Sequence, residues 1–254
     1  MRNIAIRLRF DGTHYHGWQV QKTQITVAET IENALSSLCG HTAKLIGCGR
    51  TDAGVHAISY CANFKTDCKI PADKIALALN SKLPLDIAAV DAREVPEDFN
   101  AISACIKKEY VYKIHNSKLR CPFLNKRACF FPARLDIERM AFAAKAFEGK
   151  HDFSAMRSAG TETKTTVRTV YWCDVEKSGE LIIISMCADG FLYNMARAIA
   201  GTLVYAGLGK LEPCEISAIL HTKDRSLAGP TMPPEGLYMS RVWYDGPVGE
   251  MMLS

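Results

Sequence analysis

The sequence predicts an α+β protein made of two ferredoxin-like halves, residues 1–104 and 105–254, each a β-α-β-β-α-β unit with an antiparallel or mixed sheet, and a cleft flanked by such halves is a natural place for a substrate. Three observations predict it. Short stretches alternate apolar and polar residues with the period of a half-buried strand. Between them lie stretches whose apolar residues recur every three or four positions, the stripe of an amphipathic helix. The order of the two kinds then repeats, with longer insertions, in the second half.

Ile4, Ile6, Leu8 and Phe10 alternate with Ala5, Arg7 and Arg9, so a strand opens the chain. Thr26 and Glu29 form a capping-box pair ahead of Val27, Ile31, Leu35 and Leu38, and Gly40 ends that helix. Residues 43–47 and 58–64 read as strands on either side of a turn at 48–57. Pro71 starts a second helix through Leu79, and residues 87–95 form the next strand. In the second half, Tyr110, Tyr112 and Ile114 alternate in a strand, and residues 135–147 form a helix stopped by Gly149. Residues 167–175 and 181–188 flank Ser178-Gly179, a hairpin signal. Leu192, Met195, Ile199, Leu203 and Ala206 mark a long helix from Phe191 to Tyr205, a short one follows Pro213, and residues 237–244 form a final strand.

A chain of 254 residues, 48% apolar and 23% charged, has ample material for a core. No apolar run is long enough to span a bilayer, so the expectation is a cytoplasmic protein without membrane contact. The ten cysteines are irregularly spaced with no CxxC pair, which points to reduced core thiols rather than a disulfide framework or a zinc site. A net charge of +4 is compatible with a polyanionic partner. Basic residues near aromatics suggest nucleic-acid contacts at three places: Lys107 and Lys108 before Tyr110; Lys118, Arg120, Lys126 and Arg127 around Phe123; and Arg157, Lys164 and Arg168 about a Thr-rich loop.

The most informative string is Gly49-Arg50-Thr51-Asp52-Ala53-Gly54-Val55-His56-Ala57, a carboxylate beside a guanidinium on a glycine-bounded turn. A nearby guanidinium favours the ionised carboxylate, and glycines admit a ligand close to the backbone. An Asp ahead of a small residue and a Gly also serves simply to cap a turn, and the local residues leave both readings open. His56, a small polar residue entering a strand, suits local hydrogen bonding better than general-base work.

Five further strings accompany it in order: Asp11-Gly12-Thr13-His14-Tyr15-His16-Gly17-Trp18-Gln19, Lys108-Glu109-Tyr110-Val111-Tyr112, Phe153-Ser154-Ala155, Gly190-Phe191-Leu192-Tyr193-Asn194-Met195-Ala196-Arg197, and Pro233-Pro234-Glu235-Gly236-Leu237-Tyr238. Together they resemble the bacterial tRNA pseudouridine synthase A family over nearly the whole chain. The resemblance implies the pseudouridine synthase fold and an isomerase that converts uridine to pseudouridine in the tRNA anticodon stem-loop, at positions 38, 39 and 40. It implies no cofactor and no metal, and a homodimer whose tRNA contacts both subunits. Asp52 matches the family's catalytic Asp, and Tyr110 the tyrosine that stacks on the flipped base. Arg197 matches the arginine that pairs with the catalytic carboxylate, Arg50 is implied to handle the flipped nucleotide or its phosphate, and Leu237 to close the pocket apolarly. One departure stands out: where many relatives carry an arginine, this chain reads Phe99-Asn100-Ala101-Ile102-Ser103, which removes one phosphate contact or transfers it to Lys107 or Lys108.

The competing classes are a catalytically silent RNA-binding module of the same fold and a glycoside hydrolase. The chain offers no aromatic string of the RNA-recognition type. A hydrolase needs a second carboxylate across the bond, which the Asp52 string does not supply.

Overall fold

The computed structural model describes residues 1–160 and 163–253. Its strands are β1 (Arg2–Phe10), β2 (Ile46–Gly47), β3 (His56–Thr66), β4 (Ile87–Val95), β5 (Lys107–His115), β6 (Cys129–Phe130), β7 (Gly149–Asp152), β8 (Val167–Ser178), β9 (Leu181–Ala188) and β10 (Leu237–Trp243). Its helices are α1 (Val27–Cys39), α2 (Ala72–Asn80), α3 (Ile137–Ala144), α4 (Met195–Gly207), α5 (Glu215–Thr222) and α6 (Gly246–Leu253). Two units emerge: Met1–Lys108 with Tyr238–Ser254, and Glu109–Leu237.

In the first unit the strands run β4-β1-β3-β10, with β2 on β3. β1 pairs antiparallel with β3 (Ile4↔Phe64) and β4 (Ile6↔Ala92), whereas β10 joins β3 in parallel (Tyr238↔His56). The order β1-α1-β2-β3-α2-β4 is the ferredoxin-like one expected. Ile4, Ile6 and Leu8 on one face of β1 are fully buried, as are Ile31 and Leu35 of α1 and Leu79 of α2. Each such side chain contributes roughly 1.5–3 kcal/mol by leaving water. Thr26 caps α1 by accepting from Glu29 N, and Gly40 ends it at φ 74°.

The expected strand over residues 43–47 shrinks to Ile46–Gly47, because side chains of α1 take its backbone donors. Ala43 N donates to Ser36 Oγ at 3.0 Å and Leu45 N to Glu32 Oε1 at 2.9 Å. The C-terminal helix α6, absent from the sequence reading, buries Val248, Met251 and Met252. It lies against β4 and β1.

In the second unit the strands run β5-β9-β8-β7, with β6 beside β5 in parallel (Ile114↔Cys129). β8 and β9 form the expected hairpin, closed one residue later than the signal suggested: Ser178 pairs with Leu181, and Gly179 stands at φ 59° as the first turn residue. Ile182, Ile184 and Met186 of β9 are fully buried, like Met140 of α3 and Met195, Ile199 and Leu203 of α4. The helix expected over 135–147 starts only after Asp136, whose side chain accepts from Arg139 N, and its last turn tightens to a 3-10 helix at Lys145–Phe147. Gly149, at φ 100°, opens β7 directly. Of the Thr-rich loop, Thr161 and Glu162 lie outside the described residues.

Candidate active site

In the first unit, Asp52 sits half-buried on the loop between β2 and β3, and the Asp11–Gln19 segment holds that loop through backbone contacts. Trp18 N donates to Thr51 O at 3.1 Å and Gly54 N to Tyr15 O at 3.2 Å, while Val55 N closes the turn onto Asp52 O at 3.2 Å. Two glycines make the approach possible. A Cβ on Gly12 would stand 1.9 Å from Val55 O, and one on Gly17, itself at φ 83°, would stand 2.3 Å from Thr51 O.

The preceding arm of the loop is fixed by aromatics. Trp18 stacks on Tyr60 at 4.2 Å, and a Cβ on Gly47 would strike both. The Tyr60 hydroxyl donates to Gly49 O, and Lys108 Nζ donates to Cys48 O. Lys108, read from sequence as an RNA contact, thus also braces the loop. Tyr15 anchors the bracing segment by donating from its hydroxyl to Asp86 Oδ1 at 2.7 Å; burial, then Asp86, push that phenol well above its ordinary range.

His56 is only 2% exposed, and its Nδ1 lies 3.1 Å from Gly12 N and 3.0 Å from Asp11 Oδ1. One ring nitrogen serves one of these at a time, accepting from Gly12 when bare or donating to Asp11 when protonated. Its ring stacks on Tyr238 at 4.6 Å. Both partners belong to the scaffold of the loop. Arg50, expected beside the carboxylate, is exposed and forms no ion pair among the described residues.

In the second unit, Tyr110 is buried in β5 with its ring edge-on to Phe191 at 4.9 Å. The string 190–197 runs from that aromatic contact straight into α4. Asn194, at φ 62°, turns the chain, so α4 begins at Met195 rather than at Phe191 as the periodicity suggested. Asn194 Oδ1 accepts from an Arg197 Nη at 2.7 Å, and Arg197 Nε donates to Met232 O at 2.7 Å. The guanidinium is therefore oriented by two fixed acceptors, one of them on the loop that leads to Leu237. That loop is docked tightly on α4: Gly229 N donates to Thr202 Oγ1 at 3.0 Å, and a Cβ on Gly201 would stand 1.8 Å from Pro230 O. Gly236 lets the Tyr112 ring pass 2.7 Å from its missing Cβ, and Tyr112 donates to Pro233 O at 2.7 Å. Leu237, 5% exposed, follows directly.

Asn194, Met232 and the bracing residues Tyr15, Trp18 and Tyr60 had no assigned task in the sequence reading. For Asn194, Tyr15 and Trp18 the only sequence signal is membership of the quoted strings, and Met232 and Tyr60 lie outside them. Elsewhere in this unit, Arg120, Asn125 and Lys126 line a cavity of about 510 Å³ with His115, Phe130 and Glu235. Among the described residues, no group of three or more His, Cys, Asp or Glu could hold a metal, and no helix is long and apolar enough to cross a membrane.

A family model described as tRNA pseudouridine synthase matches residues 6–102 and 143–245. Asp52, Arg197 and Leu237 fall inside the matched segments, and Tyr110 falls between them. A tRNA pseudouridine synthase A of Caldicellulosiruptor bescii is 49% identical over 96% of this chain and 100% of the relative. Proteins of the same name from Thermoanaerobacter pseudethanolicus and Geotalea daltonii are 46% and 44% identical, again over 96% of this chain and 100% of each relative. Among solved structures, the archaeal box H/ACA sRNP Nop10-Cbf5 complex matches with a TM-score of 0.40 and 13% identity, covering 94% of this chain and 50% of that one, a likeness too distant to argue from.

Proposed function

The chain belongs to the tRNA pseudouridine synthase family, and from that premise we propose that it converts uridine to pseudouridine at positions 38, 39 and 40 of the tRNA anticodon stem-loop, with Asp52 as its catalytic carboxylate. The isomerisation breaks the bond from N1 to C1′, rejoins C1′ to C5 and transfers the C5 proton, so that N1 ends protonated and nothing is added or lost. The reaction needs neither redox partner nor group donor, and the proposed machinery is built of side chains alone. Asp52 supplies the reacting carboxylate from the first unit. Arg50, Tyr110, Arg197 and Leu237 form the substrate-binding set: an exposed cation for phosphate, an aromatic surface for the extruded base, an oriented guanidinium and an apolar wall.

The observation that carries the reading is the bracing of the Asp52 loop by Asp11–Gln19. A turn that merely reverses the chain needs no second segment pressed against it at glycine-only distances. A site that must hold one carboxylate in place does. The silent RNA-binding module is disfavoured by relatives that carry the synthase name along their full length. Homodimerisation and a cytoplasmic location complete the proposal.

The test is pseudouridine mapping on unmodified tRNA with the wild-type protein after dialysis against a chelator. Conversion confined to the anticodon arm is the expected result. No conversion, or conversion only after zinc is restored, overturns the reading.

A further inference from the structure

The face of the first unit's sheet turned away from Ile4, Ile6 and Leu8 carries an unusual set of charges. Arg7 and Arg9 project from it on β1. The register places Asp91 of β4 and Cys61 of β3 opposite Arg7; on the same face, Arg93 lies opposite Ala5, and Ser59, two residues before Cys61, lies on the Arg9 side. Arg7 is only 8% exposed, its Nε is buried without a hydrogen-bond partner, and the guanidinium forms no ion pair among the described residues. Ser59, also 8% exposed, has a buried hydroxyl with no partner.

Every other charged group near Arg7 is engaged elsewhere. Asp91, opposite Arg7 in the register, turns one carboxylate oxygen to Ala92 N at 2.8 Å and the other to Arg93 Nε at 3.5 Å. Arg93 also pairs with Glu250 Oε2 of α6 at 3.5 Å and donates to Pro247 O at 3.3 Å, and Arg9 donates from Nε to Ile58 O at 3.2 Å. Burial and the charges of Arg9 and Arg93 all disfavour the protonated Arg7, opposed only by Asp91. Guanidinium groups stay protonated in proteins, so the unmet donors call for an acceptor rather than for loss of the proton. Buried cations are stable when paired, and a planar fork of donors suits a tetrahedral oxyanion.

We propose that Arg7, Arg9 and Ser59 form an oxyanion site of the phosphate class on this sheet face. Arg7 is the central donor, Arg9 adds field and outer contacts, and the Ser59 hydroxyl supplies a neutral donor at the floor. The occupant is either a phosphodiester of a bound RNA or free phosphate. Phosphate binding as such does not rest on the synthase reading.

The experiment titrates the full chain with inorganic phosphate against chloride at constant ionic strength, following the arginine Nε–H resonances and the melting temperature. Wild type is expected to show a saturable shift of the Arg7 resonance and a phosphate-specific rise in melting temperature. Arg7→Met, which removes a buried unpaired cation and keeps the aliphatic stem, is expected to fold and to lose that rise. Arg9→Gln, a change at an exposed position, is expected to weaken phosphate about tenfold while the Arg7 resonance remains observable. No saturable shift in wild type, or an undiminished phosphate effect in both variants, overturns the proposal. The source is read from tRNA binding: a salt slope shallower by about 1 in Arg7→Met assigns the site to RNA backbone, and an unchanged slope with the phosphate shift intact assigns it to free phosphate.

Discussion

Replacing Gly12 by Ala tests whether the Asp11–Gln19 segment positions the Asp52 loop. The added Cβ would stand 1.9 Å from Val55 O, 2.6 Å from Val55 C and 3.1 Å from Val55 N, all backbone atoms that cannot rotate aside. Ordinary contact begins at 3.4 Å, so the two segments must separate by about 1.5 Å. Overpacking of this kind costs about 1–3 kcal/mol, which in a protein of this size lowers the melting temperature by roughly 2–12 °C. Catalysis is more sensitive, because a misplacement of about 1 Å costs on the order of 10²-fold. We expect single-turnover pseudouridine formation to slow at least about 10²-fold at a temperature where the variant is folded, with tRNA affinity preserved. Gly40→Ala is the control: at φ 74° it strains the backbone by about 1–2 kcal/mol, yet nothing lies within 4 Å of its Cβ. It should lose melting temperature and keep its rate. Wild-type kinetics in Gly12→Ala, or equal losses in both variants, would refute the bracing argument.

Asn194→Gly keeps the positive φ but deletes the acceptor that orients Arg197, so it should slow turnover about tenfold with little change in melting temperature, while Asn194→Ala should lose about 1–2 kcal/mol of stability as well. Kinetics and thermal melts on the pair separate the two effects. Burial raises the Asp152 pKa, but hydrogen bonds from Lys223, the Ser154 hydroxyl, Thr166 and Ser154 N outweigh it and hold the carboxyl well below its ordinary range. Stability from this group is therefore fully present above the unfolded value of about 3.9 and is lost as pH falls below it toward the folded value; Asp152→Asn should flatten the acid limb of a stability profile. A native thiol titration should find Cys214 fastest, since it is exposed, and Cys48 among the slowest, because burial pushes its thiol up to about 11.

Local signals were read correctly where local physics decides. Thr26, Glu29 and Gly40 delimit α1 because caps are satisfied within a turn of the residues they close. Residues 43–45 depart from the expected strand because Glu32 and Ser36, on the preceding helix α1, take the backbone donors of Leu45 and Ala43. Asn194 misled for a related reason: the apolar periodicity runs through it, and only the left-handed turn that it adopts sets where α4 begins. Helix α6 opens with Gly246 and Pro247, which read as loop, and its apolar side chains become informative only against β4.

The site divides in the same way. Asp52 stood out because its string is distinctive, whereas the role of Asp11–Gln19 as its brace is a matter of backbone-to-backbone distance that composition does not encode. Arg50 invited pairing with Asp52 from adjacency alone, but two residues' separation does not make two side chains meet, and it faces solvent instead.

The most direct measurement is pseudouridine mapping of unmodified tRNA incubated with Asp52→Asn, which keeps the shape of the side chain and removes its charge. No pseudouridine in the anticodon arm, with tRNA binding unchanged from wild type, is the predicted result. Conversion at the wild-type rate would contradict the assignment of Asp52 as the catalytic carboxylate.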